Sequence, residues 1–200
     1  MSNYQPPIID PEFRDLMPPL TDEEYQQLEQ NILSARKCHD AILLWDSIII
    51  DGYNRFCICA THGIEFKVKD VAFASREDAK IWIIENQLGR RNLNPAQRIE
   101  LALTKADVLR EKARENLSKG GKDRAKKPFP KTEKPVEEPI NVKKEISKDA
   151  DVGKGTLQRY QQIKNSNNPK LLEKVQSGEL KIGTAHRMLN PCSFCEWFDV

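Results

Sequence analysis

The stretch IIIDGYNRF at residues 48–56 predicts a buried strand that leads directly into a helix. Three isoleucines favour the strand, and Asp51-Gly52 forms the turn before a helix that starts near Asn54. A helix start attracts anions, because its backbone N–H groups are unpaired and its dipole is positive there. Gly52 would let a phosphate approach the backbone, and Arg55 would bind it. Taken alone, the same pattern also suits a purely structural junction.

Helix and strand signals alternate on both sides of this stretch. A capping box at residues 21–24 predicts a helix over about 22–35, and Gly63 suits the end of the helix that follows Asp51-Gly52. The other predicted elements are hairpin strands at 41–45 and 48–50, a strand at 66–73, a helix capped by Ser75, and a long helix opened by residues 94–97. The sequence therefore predicts a mixed α/β domain in its first half.

A second polar group lies between two predicted helices, in the stretch ENQLGRRNLNP at residues 85–95. Arg90 and Arg91 stand among side-chain amides, immediately before a helix that begins with Pro95. Adjacent arginines next to a helix start suit contact with phosphate. Together with the first stretch, this group favours an anion site over a structural junction.

Four motifs in this order carry a resemblance to a known family. They are Leu-Thr-x-Glu-Glu at 20–24, Ile-Ile-Asp-Gly-x-x-Arg-Phe at 49–56, His-Gly at 62–63, and Glu-Asn with a following Arg and Leu-Asn-Pro at 85–95. Over about residues 16–115 the chain resembles the N-terminal domain of ParB-type proteins, the ParB/sulfiredoxin superfamily. The resemblance implies a nucleotide pocket and, as cofactor, cytidine triphosphate or another nucleotide with Mg²⁺. The residues it assigns to that pocket are Gly52, Asn54, Arg55, Glu85, Asn86, Arg90 and Arg91.

The chain departs from the family pattern at defined positions. Asn54 stands where the family usually has the first of two consecutive arginines, and the spacing leaves open whether Arg90 or Arg91 is the matching arginine. Sulfiredoxins carry a reactive cysteine two residues before the arginine, and this chain has Tyr53 there. Reduction of sulfinic acids is therefore not expected.

Charge divides the chain into two halves. Residues 1–115 carry 15 Lys and Arg against 19 Asp and Glu, a net −4, whereas residues 116–200 carry 17 against 11, a net +6. Lysines, prolines and a Gly-Gly pair fill residues 118–139, which predicts a basic linker. A basic second half points to a polyanionic partner. The predicted organisation is a domain at 16–117, the linker at 118–139, a second domain at 140–191 and a tail at 192–200.

The stretch EISKDADVGKGTLQRY at residues 145–160 has the pattern of a helix-turn-helix. Ile146, Ala150, Val152 and Leu157 fall where two short helices must pack, Asp151 takes the turn position usually held by glycine, and Gly153 replaces the usual serine cap. The second helix would present Lys154, Thr156, Gln158 and Arg159 to the major groove, while lysines contact phosphates. The phosphate-contacting residues predicted are Lys143, Lys144, Lys148, Lys154 and Lys164.

The predicted protein is an α+β ParB/sulfiredoxin-like domain joined to a small all-α helix-turn-helix domain. It would bind double-stranded DNA, form a homodimer and act in the partition, maintenance or regulation of a plasmid, phage or other mobile element. The alternatives are a nucleoside triphosphatase, such as a CTPase, or a nuclease built on the first domain, and a transcriptional regulator whose first domain is only a dimerisation scaffold.

Location follows from composition. The chain has no apolar run of about 20 residues, so no membrane span is expected. The first fourteen residues lack a signal-peptide pattern, and five cysteines are a poor disulfide framework, so a cytoplasmic protein is expected. Cys192 and Cys195 have zinc-ligand spacing, but no second pair of ligands accompanies them, so no metal site is predicted.

Overall fold

The structure is a computed structural model that describes residues 6–90, 93–120 and 142–190, with the backbone alone described for 116–120. It divides into two compact units, Met1–Gly89 and Arg90–Val200.

The first unit combines four helices and three strands among its described residues. In chain order they are α1 (Pro11–Arg14), α2 (Asp22–Ala35), β1 (Ile42–Trp45), β2 (Ile48–Asp51), α3 (Tyr53–His62), β3 (Val68–Asp70) and α4 (Arg76–Leu88). The strands form one sheet in the order β2-β1-β3, in which β1 pairs antiparallel with β2 and parallel with β3.

Local sequence signals account for most of these boundaries. The side chain of Thr21 and that of Glu24 cap α2 reciprocally, so the predicted capping box is confirmed. Asp46 and Ser47 both have positive φ, 47° and 66°, which is the geometry of the predicted two-residue hairpin. The predicted strand at 66–73 is shorter in the structure, because only residues 68–70 pair with the four-residue β1.

The sheet separates two apolar clusters. Alternate residues of β1 point to opposite faces, as a strand requires: Ile42 and Leu44 pack with residues of α2 and α3, while Leu43 and Trp45 pack with residues of α1 and α4. Phe13 of α1 is fully buried in the second cluster. Phe13, which precedes residue 16, therefore belongs to the core of this unit.

The second unit is helical throughout its described residues. Its helices are α5 (Pro95–Gly120), α6 (Val142–Asp149), α7 (Lys154–Asn165), α8 (Pro169–Gln176) and α9 (Ile182–Leu189). Ala96, Ile99 and Ala102 of α5 are buried in one core with residues of α6 to α9.

The boundary between the two compact units falls between Gly89 and Arg90, while the predicted domain bounds stay a prediction. We predicted that α5 completes the first domain and that the second begins near residue 140, but the structure assigns α5 to the second unit. From the sequence alone, the apolar face of α5 could pack against either half of the chain. Only the residues that it contacts in the structure show which unit contains it. Residues 118–120, predicted as linker, continue α5, whereas the rest of the linker and the tail lie outside the described residues.

Candidate functional site

The start of α3 lies where the sequence predicted an anion site. Gly52 is the N-cap, with a φ of 90° that favours glycine, and it supplies no side chain to cap the helix. Buried Asp51 ends β2 immediately before it. The strand therefore leads directly into the helix, as predicted, and the helix starts at one end of the sheet.

The guanidinium of Arg55 forms hydrogen bonds with residues of the same unit. Its Nη2 donates to Asp51 Oδ2 at 3.0 Å and to the carbonyl of Ala41 at 3.4 Å, and its Nη1 donates to Asp40 Oδ2 at 3.2 Å. A Cβ on Gly52 would lie only 2.9 Å from Arg55 Nη2. The space above Gly52, predicted to admit a phosphate, is therefore filled by the arginine that was predicted to bind that phosphate.

The Glu85-Asn86 motif occupies the last turn of α4, in the same unit. Glu85 is exposed and Asn86 is half-buried. The next residue, Gln87, is 2% exposed, and its Nε2 has no hydrogen-bond partner among the described residues. Arg55 Nε is likewise buried and without a partner there. Each of the two predicted motifs thus contributes one buried donor without an acceptor.

The two remaining arginines of the prediction fall elsewhere. Arg90 is the first residue of the second unit, and Arg91 lies outside the described residues.

A cavity of about 500 Å³ adjoins the start of α3. Tyr53 and Asn54 of α3, Tyr25 of α2 and the segment from Arg14 to Leu20, except Leu16, line it. Its cation, Arg14, pairs with Asp15 at 2.7 Å. A hydrogen bond that the Tyr53 hydroxyl donates to Cys57 raises the pKa of Tyr53, and burial raises that of Tyr25, so both phenols stay protonated near neutral pH. The wall therefore consists of aromatic rings, prolines, aliphatic side chains and an amide, together with one ion pair.

Ion pairs to α4 hold the N-terminal segment that forms part of this wall. Arg76 binds Asp10 at 2.5 Å and Glu12 at 2.7 Å, and Lys80 also binds Glu12. The guanidinium of Arg76 lies 4.5 Å above the ring of Phe13. We call Asp10, Glu12, Arg76 and Lys80 the N-terminal clasp.

In the second unit, α6 and α7 meet at a turn with the predicted geometry. Asp151 has a φ of 53°, in the left-handed region, and Gly153 is the N-cap of α7. Ile146, Ala150 and Leu157 are buried in one cluster, and Val152 packs against it. Side chains of the two helices therefore lie in one core, and the helix-turn-helix domain stays a prediction.

Side chains of α5 hold this turn in place. Arg98 Nε donates to the carbonyl of Ala150 at 3.1 Å, and Lys105 pairs with Asp149 at 3.0 Å. Tyr160 of α7 is fully buried and donates to Glu100 Oε1 at 2.7 Å, while burial and this carboxylate raise its pKa. These contacts were not predicted from the sequence, because they exist only if α5 packs against α6 and α7.

Most of the predicted DNA-contacting side chains are exposed. They are Lys143, Lys144, Lys148, Lys154, Gln158 and Arg159. Two others differ from the prediction. Thr156 is half-buried and lines a cavity of about 360 Å³ with residues of α5 and α9, and Lys164 pairs with Glu100 at 2.8 Å. Lys164 is itself exposed, so among the predicted DNA-contacting residues, all of which the structure describes, Thr156 alone is half-buried.

Comparisons with known proteins give a fold. No protein-family model matches the chain, and no curated protein does. The C2221 form of a Pnob8-like ParB-N domain aligns over 96% of this chain and 79% of its own, with a TM-score of 0.59 and 20% identity. A pNOB8-like ParB N-domain aligns over 96% of this chain and 74% of its own, with a TM-score of 0.57 and 20% identity. The chain has the fold of a ParB N-domain.

This fold confirms the coarser part of the sequence resemblance, a ParB-like mixed α/β domain with a small sheet. Because the alignments cover 96% of the chain, the ParB N-domain fold includes residues of both units. The cavity wall formed by Met17-Pro18-Pro19 and Tyr25 was not predicted from the sequence. The sequence signal for this wall is the pair of adjacent prolines before the capped helix α2. This signal does not show that the prolines lie beside the start of α3.

None of the helices in the described part of the chain combines the length and apolar character needed to cross a bilayer. The described residues also contain no group of three or more His, Cys, Asp or Glu side chains that could hold a metal ion.

Proposed function

We propose that this protein binds double-stranded DNA through α6 and α7 and acts in the partition, maintenance or regulation of a plasmid, phage or other mobile element. One observation carries the proposal. The face of α7 opposite its buried residues Leu157, Tyr160 and Ile163 presents Gln158 and Arg159 to solvent, and lysines of α6 and α7 are exposed beside the same turn. The ParB N-domain fold supports it.

These side chains suit the two tasks of a DNA-binding surface. Arginine pairs with guanine and glutamine with adenine in the major groove, whereas lysines contact phosphates without specifying sequence. Lys143, Lys148 and Lys154 are exposed and suited to phosphate contact. We assign base contact to Gln158 and Arg159 in place of the larger predicted set, because Thr156 lines the smaller cavity.

Selection from random duplexes followed by salt titration tests the proposal. The full chain should enrich one sequence, and its affinity should fall steeply with salt concentration. Arg159→Ala should reduce discrimination between the selected site and random duplex by about 1–3 kcal/mol. Lys143→Ala, the matched control, should weaken binding to both duplexes equally. The assignment would be contradicted if the full chain enriched no sequence. It would also be contradicted if both variants discriminated between the two duplexes as well as the wild type does.

Nucleotide binding in the first unit is a second candidate, favoured by the cavity beside α3. Tyr25 and Tyr53 offer ring faces, and Asn54 offers a side-chain amide at an uncapped helix start. The described residues do not fit a magnesium triphosphate, because the terminal nitrogens of Arg55 and the guanidinium of Arg14 are already paired with carboxylates. We therefore propose binding of the ring portion of a nucleotide and derive no hydrolytic step.

Calorimetric titration with cytidine, cytidine monophosphate and cytidine triphosphate tests this candidate. All three ligands should bind within about tenfold of one another if the ring supplies most of the contact, and Tyr53→Leu should weaken each of them. Asn31→Ala, an amide removed from the exposed face of α2, is the control and should change nothing. Binding of the triphosphate alone would show that phosphates dominate and would refute the ring assignment.

Dimer formation remains a proposal that the resemblance motivates. A scaffold function would be supported if the full chain dimerises in sedimentation experiments without nucleotide and binds no selected duplex.

A further inference from the structure

One exposed residue of α7, Gln162, lies on the face assigned to DNA but was not among the predicted contacts. Residues three, four and seven positions apart share a helix face, so Gly155, Gln158, Arg159 and Gln162 form one stripe. Gln162 is exposed. It lies one turn beyond Gln158 and Arg159, where the stripe continues along the helix.

Gln162 is held by a residue of another helix. Its Oε1 lies 2.5 Å from Nε2 of His186, a half-buried residue of α9. A carboxamide oxygen can only accept, so Nε2–H of His186 is the donor. The Asn190 amide, whose Nδ2 lies 3.4 Å from the same ring nitrogen, donates to the carbonyl of His186 at 3.3 Å. Exposed glutamines normally sample many rotamers, and this bond removes much of that freedom.

The bond also determines which group Gln162 offers to a ligand. Because His186 occupies the carboxamide oxygen, the amide NH₂ is the group left to bind elsewhere. An NH₂ on this face suits an acceptor, and the acceptors that purines present in the major groove are N7 and, in guanine, O6. Phosphates, the other acceptors of DNA, are contacted without regard to sequence.

We propose that Gln162 is a further base-contacting residue, which donates its amide N–H to purine N7 in the major groove, and that His186 is its positioning residue. The inference rests on the proposed DNA binding through α7. It assigns to α9 a part in base recognition that does not require α9 to touch DNA.

Replacement of purine N7 by carbon tests the contact directly. The full chain is titrated with its selected duplex, in which 7-deazapurine replaces one purine at a time. At the purine that Gln162 contacts, the substitution should weaken binding of the wild type by about fivefold, the effect of one hydrogen bond. The Gln162→Ala variant should lose this penalty at that purine and keep the penalties at purines contacted by other residues.

The His186→Phe variant tests positioning, because it keeps a ring of similar size and removes the N–H donor. It should reduce the penalty at the same purine, as Gln162→Ala does, whereas a merely structural role for His186 would weaken binding to all duplexes equally. His186→Ala is a second variant, and thermal melting identifies any variant that fails to fold. Lys143→Ala is the control and should keep every 7-deazapurine penalty.

Each outcome has a defined meaning. If the wild type binds no selected duplex, the proposed function fails and this inference fails with it. If it binds but Gln162→Ala keeps all penalties, or loses affinity for every duplex equally, the base contact is refuted while the proposed function stands. If Gln162→Ala removes one penalty and neither variant of His186 reduces it, the positioning role is refuted.

Discussion

At the scale of single residues, Gly52 shows how one backbone conformation supports a buried charge. Its positive φ and missing Cβ allow Arg55 to fold back and reach Asp51 and Asp40. Asp51 is 8% exposed, so loss of Arg55 would remove a cation that balances a buried carboxylate. The positive φ and the close approach of Arg55 and Ile42 together account for the glycine at this position.

The change Gly52→Ala should destabilise the first unit by about 2–4 kcal/mol, because it adds left-handed strain to clashes with Arg55 and with Ile42. Gly63→Ala is the matched control. Gly63 also has a positive φ, 63°, but a Cβ there would meet nothing within 4 Å, so the cost should be about 1 kcal/mol. Urea unfolding of both variants measures the difference. Equal costs would show that the contact with Arg55 contributes nothing.

At the scale of elements, the N-terminal clasp shows how a short helix is attached to the unit. Phe13 supplies the apolar contact, and the four charges around it align α1 with α4. The segment that follows α1 then lines the larger cavity. The clasp therefore links the stability of an apparently peripheral helix to the geometry of the candidate pocket.

The clasp should make this attachment sensitive to acid. A hydrogen bond from Arg76 lowers the pKa of Asp10, and one from Lys80 lowers that of Glu12. A carboxylate whose pKa is lowered by folding stabilises the fold above its ordinary pKa, and this contribution is lost as the pH falls below about 4. Thermal melting between pH 7 and pH 3 should therefore show a loss of stability in the wild type.

The variant Arg76→Met should reduce that acid sensitivity, because it keeps an apolar contact with Phe13 but removes the charge. Each partly exposed pair contributes no more than about 1 kcal/mol, so the expected change is small. Arg110→Met, which removes a surface ion pair of α5, is the control and should leave the profile unchanged. An identical pH profile in the Arg76 variant would contradict the role of the clasp.

At the scale of the whole molecule, the helix α5 decides where one unit ends and the other begins. It supplies buried side chains to the core of the second unit, and Arg98, Glu100 and Lys105 bind residues of α6 and α7. The candidate DNA-binding surface is therefore supported from a helix that precedes the basic linker.

Truncation tests this division. Residues 90–200 should fold alone with the helix content of the second unit, whereas residues 118–200 should not, because they lack Ala96, Ile99 and Ala102 of the core. Circular dichroism and thermal melting of the two fragments measure the difference. Cooperative melting of the shorter fragment would show that α5 is dispensable and would restore the boundary predicted from sequence.

Local chemistry by itself determined much of this protein. The capping box at Thr21, the hairpin at Asp46-Ser47, the glycine stop at Gly63 and the turn at Asp151 depend on neighbouring residues, and the structure has each of them. Only the tertiary structure decided the partners of Arg55, the unit to which α5 belongs, the convergence of Tyr25 and Tyr53 on one cavity, and the bond between Gln162 and His186. The physical reason is common to all four. Each feature joins residues that are distant in the sequence or belong to different elements. A charge, an apolar face or an amide could pair with several partners, and only the packing of the elements determines which partner it has.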